Sequence, residues 1–386
     1  MASTTPFRPA PATGGLDRLT RIGHARQAVL YGDPLVANTA PLVETWIERS
    51  WIRCLALGHR PEQAPSFDMV SAAALNRTRE ANDRLVQAAR PVLERLGHAI
   101  ADTRYFAILT NQSGVVIDVN GPIDRRDRRA DMITRIGTDL SEPQAGTAAI
   151  GAALTELQPV WLHRGEHFFD ATSVYSCAGA PLFGPDGRCA GMLDLTGIEA
   201  AERPELKHLV AQSARSIENA LTLGMPHALQ IRLNWPGRTL GDDGDGLVCV
   251  DADGCVTGAN QAARQMVSQL GATSGGAPHC NDLFALPFEM LFDAARQQAP
   301  VNGGILETPL WTGLRLHALP QLPGRGPSPV TSLPPSDAAT RTLKEVETVL
   351  IRKAVSDARG NVVQAARALG VSRATVYRRL GSGKRS

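Results

Sequence analysis

The 386-residue sequence lacks the features of secreted, membrane-spanning and ATP-hydrolysing proteins. It has no apolar run near the ~18 residues of a membrane span, and residues 1–15 have no apolar signal-peptide core. Its six cysteines form no C-x-x-C pair, which indicates reduced thiols. A G-x-x-x-x-G-K-[S/T] phosphate-binding loop is also absent. We therefore expect a cytoplasmic protein that makes no contact with a membrane.

The chain has almost no net charge, but its basic residues are concentrated at one end. The formal net charge is +2, and the 43% apolar and 20% charged residues are typical of a folded protein. Residues 341–386 contain eleven Lys and Arg against three acidic residues, so the rest of the chain is net negative. This asymmetry predicts a separate module that binds an acidic partner.

The hydrophobic pattern divides the chain into segments with different predicted secondary structure. Helical spacing, short strands between turn residues, and a stretch with six prolines follow one another along the chain. We predict a disordered lead-in over 1–15, a helical region over 16–100, strand-rich domains over 101–224 and 225–319, a Pro-rich linker over 320–341, and a helical module over 342–386.

Turn residues place the strands within the two strand-rich domains. YFAILTNQSGVVIDVNG predicts a hairpin that turns at residues 112–114, and SCAGAPLFGPDGRCAGMLDLTG predicts a second one that turns at 184–187. GLVCVDADGCVTGAN predicts a third hairpin in the next domain, with its turn at 251–254. A helix from about residue 205 to 223 joins the two domains.

The hairpin registers argue against disulfide bonds. Around the turn at 184–187 we expect Cys189 to lie opposite Leu182 rather than Cys177, too far along the strand for a bond. Cys249 and Cys255 are opposite each other only if their loop has three residues. We therefore expect six buried, unpaired thiols.

The basic end has the spacing of a helix-turn-helix. We predict that Gly360 ends one helix, that Asn361 caps a second, that Gly370 permits the tight turn, and that Ser372 caps a third helix, RATVYRRL. The alternative is a solvated basic helical hairpin, but spacing, caps and charge agree on a DNA-binding module. The predicted DNA contacts are Asn361, Ser372, Arg373, Thr375, Tyr377, Arg378, Arg379 and Lys384.

Four stretches resemble one family of bacterial regulators. RGN at 359–361 and SRATVYRRL at 372–380 resemble the Fis-family DNA-binding domain, which has a four-helix fold and works as a dimer. SEPQAGTAAIGAALTELQPVWLHRGEHFFDATSVYSCAGAPLFGPDGRCAGMLDLTG resembles the GAF sensor domain of the acetoin-catabolism regulators. SWIRCLALGHRPEQAP resembles their helical lead-in, and GLVCVDADGCVTGANQAA their PAS domain.

The resemblance implies an α+β multidomain protein. It consists of a helical N-terminal segment (16–100), a GAF α/β sensor domain (101–224), a PAS-like α/β domain (225–319), and a C-terminal all-α Fis-type helix-turn-helix (342–386). In that family an ATPase domain that remodels sigma-54 polymerase lies between the PAS domain and the helix-turn-helix. Here the Pro-rich linker occupies that position, which implies a regulator without ATPase activity.

The implied function is sequence-specific DNA binding controlled by a small-molecule effector in the GAF domain, with the PAS domain as a second candidate. The implied partners are double-stranded DNA and a second copy in a homodimer, with RNA polymerase or a full-length paralogue as further candidates. We expect no cofactor.

Residues 163–167 match H-x-x-E-H, a zinc-protease signature. That chemistry needs both histidines on one helical face, whereas His163 ends the predicted strand PVWLH and Gly165 interrupts any helix. We therefore predict no catalytic or metal-binding residues. The resemblance implies instead that this loop borders the GAF pocket, which would be lined by His163, His167, Phe168, Tyr175 and Cys177. The alternative is that His167 caps a loop and the two aromatic rings belong to the core.

Two rival functions remain open at this point. One is an H-x-x-E-H metalloenzyme, which stoichiometric zinc would support. The other is an effector-independent DNA-binding protein that competes with full-length sigma-54 activators, which effector-independent DNA affinity would support.

Overall fold

The computed structural model describes residues 17–32, 42–271, 276–297, 304–323 and, singly, residue 362. The chain divides into two units, Met1–Gly324 and Arg325–Ser386. The predicted lead-in over 1–15, most of the linker over 320–341 and all eight predicted DNA contacts lie outside the described residues, so these assignments stay predictions. The described residues contain a helical segment followed by two five-stranded sheets.

The described part of the N-terminal segment contains three helices: α1 (Arg18–Leu30), α2 (Thr45–Ala56) and α3 (Ala72–Ala99). The expectation of helix throughout this region is wrong for residues 57–71, which contain no α-helix. Gly58, with a φ of +85°, ends the helical stretch, and Pro61 and Pro65 lack the N–H that a helix interior requires. The Ser71 hydroxyl then caps α3 by accepting from the Ala74 amide at 3.3 Å.

The first sheet contains five antiparallel strands in the order β2-β1-β5-β4-β3. Both hairpins predicted in this region are confirmed. The strands are β1 (Tyr105–Asn111), β2 (Val116–Asn120), β3 (Val160–His163), β4 (Tyr175–Phe183) and β5 (Cys189–Ile198).

Helices cover both faces of the first sheet. Helix α3 and the long helix α7 (Leu206–Leu223), confirmed near its predicted bounds, pack on one face. The other face packs against α1, α2 and three short helices. These are α4 (Arg128–Ile133), α5 (Glu142–Ala145) and α6 (Ala149–Glu156). Since neighbouring residues of a strand point to opposite faces, alternate positions of β4 and β5 belong to two separate cores.

The β4–β5 register differs by one position from the prediction. Cys189 lies opposite Phe183 rather than Leu182, because an irregularity between Leu182 and Phe183 shifts the pairing. All six cysteines lie in the described part of the chain and are free thiols. Two of them, Cys189 and Cys255, are half-buried, which corrects the expectation that all six are buried.

The second sheet has the strand order β8-β7-β6-β10-β9 and is also antiparallel. Its hairpin around residues 251–254 is confirmed. The strands are β6 (Leu229–Asn234), β7 (Gly246–Val250), β8 (Val256–Ala259), β9 (Leu306–Pro309) and β10 (Arg315–Gln321). Among the described residues, the helices that accompany this sheet are α8 (Gln261–Met266), α9 (Cys280–Leu283) and α10 (Glu289–Gln297).

Helix α7 contacts both sheets. Its apolar stripe packs on the first sheet, and polar groups near its end reach the second. The Asn260 amide donates to Asn219 Oδ1 at 2.7 Å, and Asn219 Nδ2 donates to the Asp243 carbonyl at 3.1 Å. The Cys249 thiol donates to the Thr222 carbonyl at 3.3 Å. The two sheets are therefore joined through side-chain and backbone groups of one helix.

No described helix combines the length and the apolar character needed to cross a membrane.

Candidate ligand-binding cavity

A small cavity lies on the face of the first sheet that packs against α4, α5 and α6. Its volume is about 40 Å³, and its walls are mainly aliphatic. Larger open grooves of about 470 and 1190 Å³ border α7 and α3, but neither is lined by a residue predicted to bind ligand. The small cavity is the stronger candidate because buried polar side chains converge on it.

Three of the five residues predicted to bind ligand line this cavity: His167, Tyr175 and Cys177. Tyr175 and Cys177 are alternate residues of β4 and therefore point to the same face. Tyr175 is held there because its hydroxyl donates to the Arg129 carbonyl at 3.2 Å. His167 reaches the same space from the loop after β3.

The other two predicted residues, His163 and Phe168, do not line the cavity. The His163 ring is parallel to that of Trp161, with centroids 6.3 Å apart, and its Nδ1 is 2.8 Å from the Ser176 hydroxyl. Phe168 is fully buried and packs edge-on against Phe169, with centroids 5.1 Å apart. For Phe168 the alternative interpretation, a core residue, describes the contacts better.

The side chains of the H-x-x-E-H residues have different partners. Strand β3 ends at His163 and a 3-10 turn, not an α-helix, follows. Both Glu166 carboxylate oxygens accept from Arg18 Nη2 at 2.8 Å, and the His163 amide donates to Oε2 at 2.7 Å. Within the described ranges, no group of three His, Cys, Asp or Glu side chains is placed to hold a metal ion.

His167 is a neutral, oriented imidazole. Its Nδ1 is 3.0 Å from the Arg164 carbonyl, which only accepts, so Nδ1 carries the proton and Nε2 is the acceptor. Burial lowers the pKa of His167 to about 4. Nε2 lies 3.4 Å from Cys177 Sγ, and burial raises the pKa of that thiol well above its usual value. Cys177 is therefore a thiol that can donate to the ring.

Asp194 of β5 is a cavity residue that the sequence prediction missed. Its carboxyl is hydrogen-bonded through Oδ2 to the Thr196 hydroxyl, which in turn lies 3.3 Å from Cys177 Sγ. Oδ1 is buried and has no hydrogen-bond partner among the described residues. Burial raises the pKa of Asp194 to about 7. The signal was present as one acid in the middle of the apolar strand CAGMLDLTGI.

Helix α1 is bound to the loop that carries His167. Arg26 donates to three carbonyls of this loop, at 3.0 Å for Gly165, 2.7 Å for His167 and 3.1 Å for Phe168. It also pairs with Asp170 at 2.5 Å. Since carbonyls of irregular backbone have no strand or helix partner, these bonds fix the loop conformation and with it the His167 ring.

Comparison with known proteins relates the chain to bacterial regulators. Residues 38–219 match the MimR, N-terminal domain, and residues 342–381 match the Bacterial regulatory protein, Fis family. The second match covers most of the predicted helix-turn-helix module.

Individual relatives confirm the resemblance to the acetoin-catabolism regulators. The acetoin catabolism regulatory protein of Cupriavidus necator is 31% identical over 64% of this chain and 37% of its own length. The propane 2-monooxygenase operon transcriptional activator MimR of Mycolicibacterium goodii is 32% identical over 36% of this chain and 24% of its own length. The chain thus spans about a quarter to two fifths of the length of these curated relatives.

A solved structure also aligns with the chain. It is the crystal structure of the E. coli DhaR(N)–DhaL complex. The alignment covers 72% of this chain and 99% of the matched chain, with 17% sequence identity and a TM-score of 0.44.

Proposed function

Because the chain is a homologue of the acetoin-catabolism and MimR-type regulators, we propose that it is a DNA-binding transcriptional regulator controlled by a small-molecule effector. The observation that carries the proposal is the Fis-family match over residues 342–381. The same residues hold most of the positive charge of the basic end, which suits a phosphate backbone.

We assign the effector-sensing role to the first sheet, as a GAF domain, and a PAS-like role to the second. The small buried cavity on the first sheet supports this assignment, since it brings three ligand-binding candidates together with a buried carboxyl. The effector would favour one of two arrangements of a homodimer by its difference in affinity between them.

We further propose that regulation proceeds without ATP hydrolysis by this chain. Its sequence contains no phosphate-binding loop, and a Pro-rich segment follows the second sheet where a longer regulator of this kind has an ATPase domain. RNA polymerase or a full-length paralogue are then the protein partners through which DNA binding would affect transcription.

The observations favour this proposal over a metalloenzyme. The Glu166 carboxylate is bound by Arg18, and the His163 and His167 rings contact different neighbours, so the motif residues do not converge. An effector-independent competitor for DNA sites differs from the proposal only in its response to ligand.

Two substitutions in the helix-turn-helix test the DNA-binding role. Arg373 is the first residue of the third predicted helix, and this end of a recognition helix reaches base edges. Arg373→Ala should therefore reduce the difference in binding free energy between the operator and random DNA by about 1–3 kcal/mol, where the operator is a site selected from a random DNA library. Lys384 is better placed for a phosphate, so Lys384→Ala should weaken operator and random DNA equally and reduce the salt slope by about one. Binding isotherms on both DNAs at several salt concentrations measure this. If Arg373→Ala leaves the ratio of operator affinity to random-DNA affinity unchanged, the proposed orientation of the third predicted helix toward the bases is wrong.

A further inference from the structure

A groove of about 470 Å³ is lined by residues of both sheets and of α7. Strand β4 and helix α7 supply one part of its wall, and the loop between β6 and β7 and helix α8 supply the other. Its volume falls in the range of small-molecule sites, roughly 300–1,000 Å³. The groove is separate from the cavity on the first sheet, because the two share no lining residue.

Glu218 of α7 is a buried carboxyl on the wall of this groove, with 5% of its surface exposed. Its Oε1 accepts from the Phe183 amide at 2.9 Å, next to the irregularity in the β4–β5 pairing. Oε2 has no hydrogen-bond partner among the described residues. Burial raises the pKa of Glu218 to about 7. The structural contact thus uses one carboxyl oxygen and leaves the other for a ligand.

The groove has an excess of negative charge when Glu218 is ionised. Asp243, on the loop between β6 and β7, accepts from the Ser216 hydroxyl and the Asn219 amide, which are both neutral donors. The third charged residue on the wall is Arg215, which is exposed. Among the described residues neither carboxylate forms an ion pair. Since an opposite charge stabilises a desolvated carboxylate, the groove favours a cation over a neutral molecule or an anion.

The other wall residues favour an organic cation over a metal ion. Ala180, Pro181 and Ala214 present small apolar groups, and Trp235 is a 39% exposed ring that can contact either hydrocarbon or a cation. A metal ion such as Ca²⁺ needs several oxygen ligands. In the part of the chain that the structure describes, no three His, Cys, Asp or Glu side chains are grouped to supply them.

We infer that this groove binds an organic ammonium ion, whose charged nitrogen donates to Glu218 Oε2 and whose hydrocarbon part contacts Ala180 and Trp235. Such a ligand touches both sheets, because Ala180 belongs to β4 and Trp235 to the loop after β6. This site goes beyond the function proposed above, and it holds with or without an effector on the first sheet.

Three probes with closely matched skeletons test the inference: 2-phenylethylammonium, 2-phenylethanol and phenylacetate. Titration of the full chain labelled with 5-fluorotryptophan, followed by ¹⁹F NMR, reports on the groove through Trp235, whose resonance is assigned with Trp235→Phe. At pH 8 we expect the ammonium ion to bind with a dissociation constant at least about tenfold below that of the alcohol, the effect of one hydrogen bond to a charged acceptor. Phenylacetate should bind most weakly.

Glu218→Gln separates ligand binding from the structural contact. The Gln side chain keeps an acceptor for the Phe183 amide but replaces Oε2 with a donating NH₂ group. The variant should therefore fold and bind the ammonium ion and the alcohol within about threefold of each other. Glu205→Gln is the matched control, because Glu205 directly precedes α7, is exposed and does not line the groove. It should behave as the wild type.

A comparison of pH values gives a second readout. The ammonium ion pairs with the ionised carboxyl, so its dissociation constant should increase about tenfold from pH 8 to pH 6 as Glu218 takes up its proton. Glu218→Gln should lose this dependence. A dependence caused by Arg215 or Asp243, the other charged groups on the wall, would persist in that variant.

Three results would overturn the inference: a Trp235 resonance that shifts with none of the probes, an alcohol or carboxylate probe that binds as tightly as the ammonium ion, or an unchanged ammonium preference in Glu218→Gln. If that variant does not fold, the wild-type pH comparison decides. Equal affinity for the ammonium ion at pH 6 and pH 8 would then show that Glu218 is not its partner.

Discussion

A carboxyl and an imidazole share the wall of the cavity, and burial moves their pKa values in opposite directions. The pKa of Asp194 is raised to about 7 and that of His167 is lowered to about 4. Both shifts favour the uncharged form, as expected where aliphatic walls replace water. Between about pH 4 and pH 7 the uncharged form of both groups therefore predominates.

The raised pKa of Asp194 makes folding stability depend on pH. In the unfolded chain the carboxyl ionises near pH 4, whereas in the folded protein it stays protonated up to about pH 7, so its contribution falls as pH rises through that window. Asp194→Asn does not titrate. Its stability relative to the wild type should therefore increase by about 3 kcal/mol between pH 4 and pH 7.5.

Urea unfolding at several pH values measures this difference. The variant is compared with the wild type at each pH because His167 contributes a trend of opposite sign in nearly the same window. Asp186→Asn, at the exposed β4–β5 turn, is the matched control for the substitution itself. A flat profile for Asp194→Asn would mean that Asp194 is ionised in the folded protein.

At the residue scale, strand alternation is the feature of the sequence that indicates which side chains share a face. Tyr175 and Cys177 are two positions apart on β4 and reach the cavity together as a result. His163 does not line the cavity, because its ring stacks with that of Trp161 and shares the face that packs against α3 and α7. Asp194 was missed because the apolar residues around it suggested only a core strand.

At the scale of elements, the contact between α1 and the loop after β3 decides the position of His167. Arg26→Ala would leave three loop carbonyls without their donor, which we expect to lower the free energy of unfolding by about 2–3 kcal/mol. Hydrogen exchange of the amides from residue 164 to 170 should also become faster.

Arg296→Ala provides the matched comparison for that variant. Arg296 lies on α10 and forms an exposed ion pair with Asp293, so its removal should change stability by no more than about 0.5 kcal/mol. Urea unfolding and exchange mass spectrometry measure both variants. Equal behaviour of the two would show that α1 does not hold the loop.

Elements with strong turn signals were predictable, and those defined by distant partners were not. Glycine-containing turns placed the β1–β2, β4–β5 and β7–β8 hairpins correctly. Strand β6 was not predicted, because it pairs with β10, which is distant in the sequence, and no short turn joins it to β7. Strand β9 was not predicted although the turn at residues 310–314 joins it to β10. The short helices α4 to α6 are too brief for helical periodicity to appear.

At the scale of the whole molecule, the division at residue 324 separates the sheets from the basic module. A chain of residues 1–340 should keep its fold and its cavity but lose specific DNA binding, because it lacks the positively charged end. Circular dichroism and footprinting on a selected operator measure the two properties. Footprints retained by this fragment would place the DNA contacts elsewhere.

The lack of a phosphate-binding loop leads to a second prediction at this scale. The purified chain should neither hydrolyse ATP nor open a sigma-54 promoter by itself. Phosphate release and open-complex assays measure both activities, with a full-length relative as positive control. ATP-dependent promoter opening by this chain alone would contradict the proposal.

The side chains that join α7 to the second sheet determine how this protein can be recombined. In a chimaera joined between residues 224 and 229, α7 would be followed by the second sheet of another protein. The Asn219 side chain would then lose its hydrogen bonds with Asn260 and Asp243. Buried amides that lose their partners destabilise a fold, so such hybrids should express poorly. The two sheets should therefore be transferred together. A fusion to another DNA-binding domain should be joined in the proline-rich stretch after residue 323.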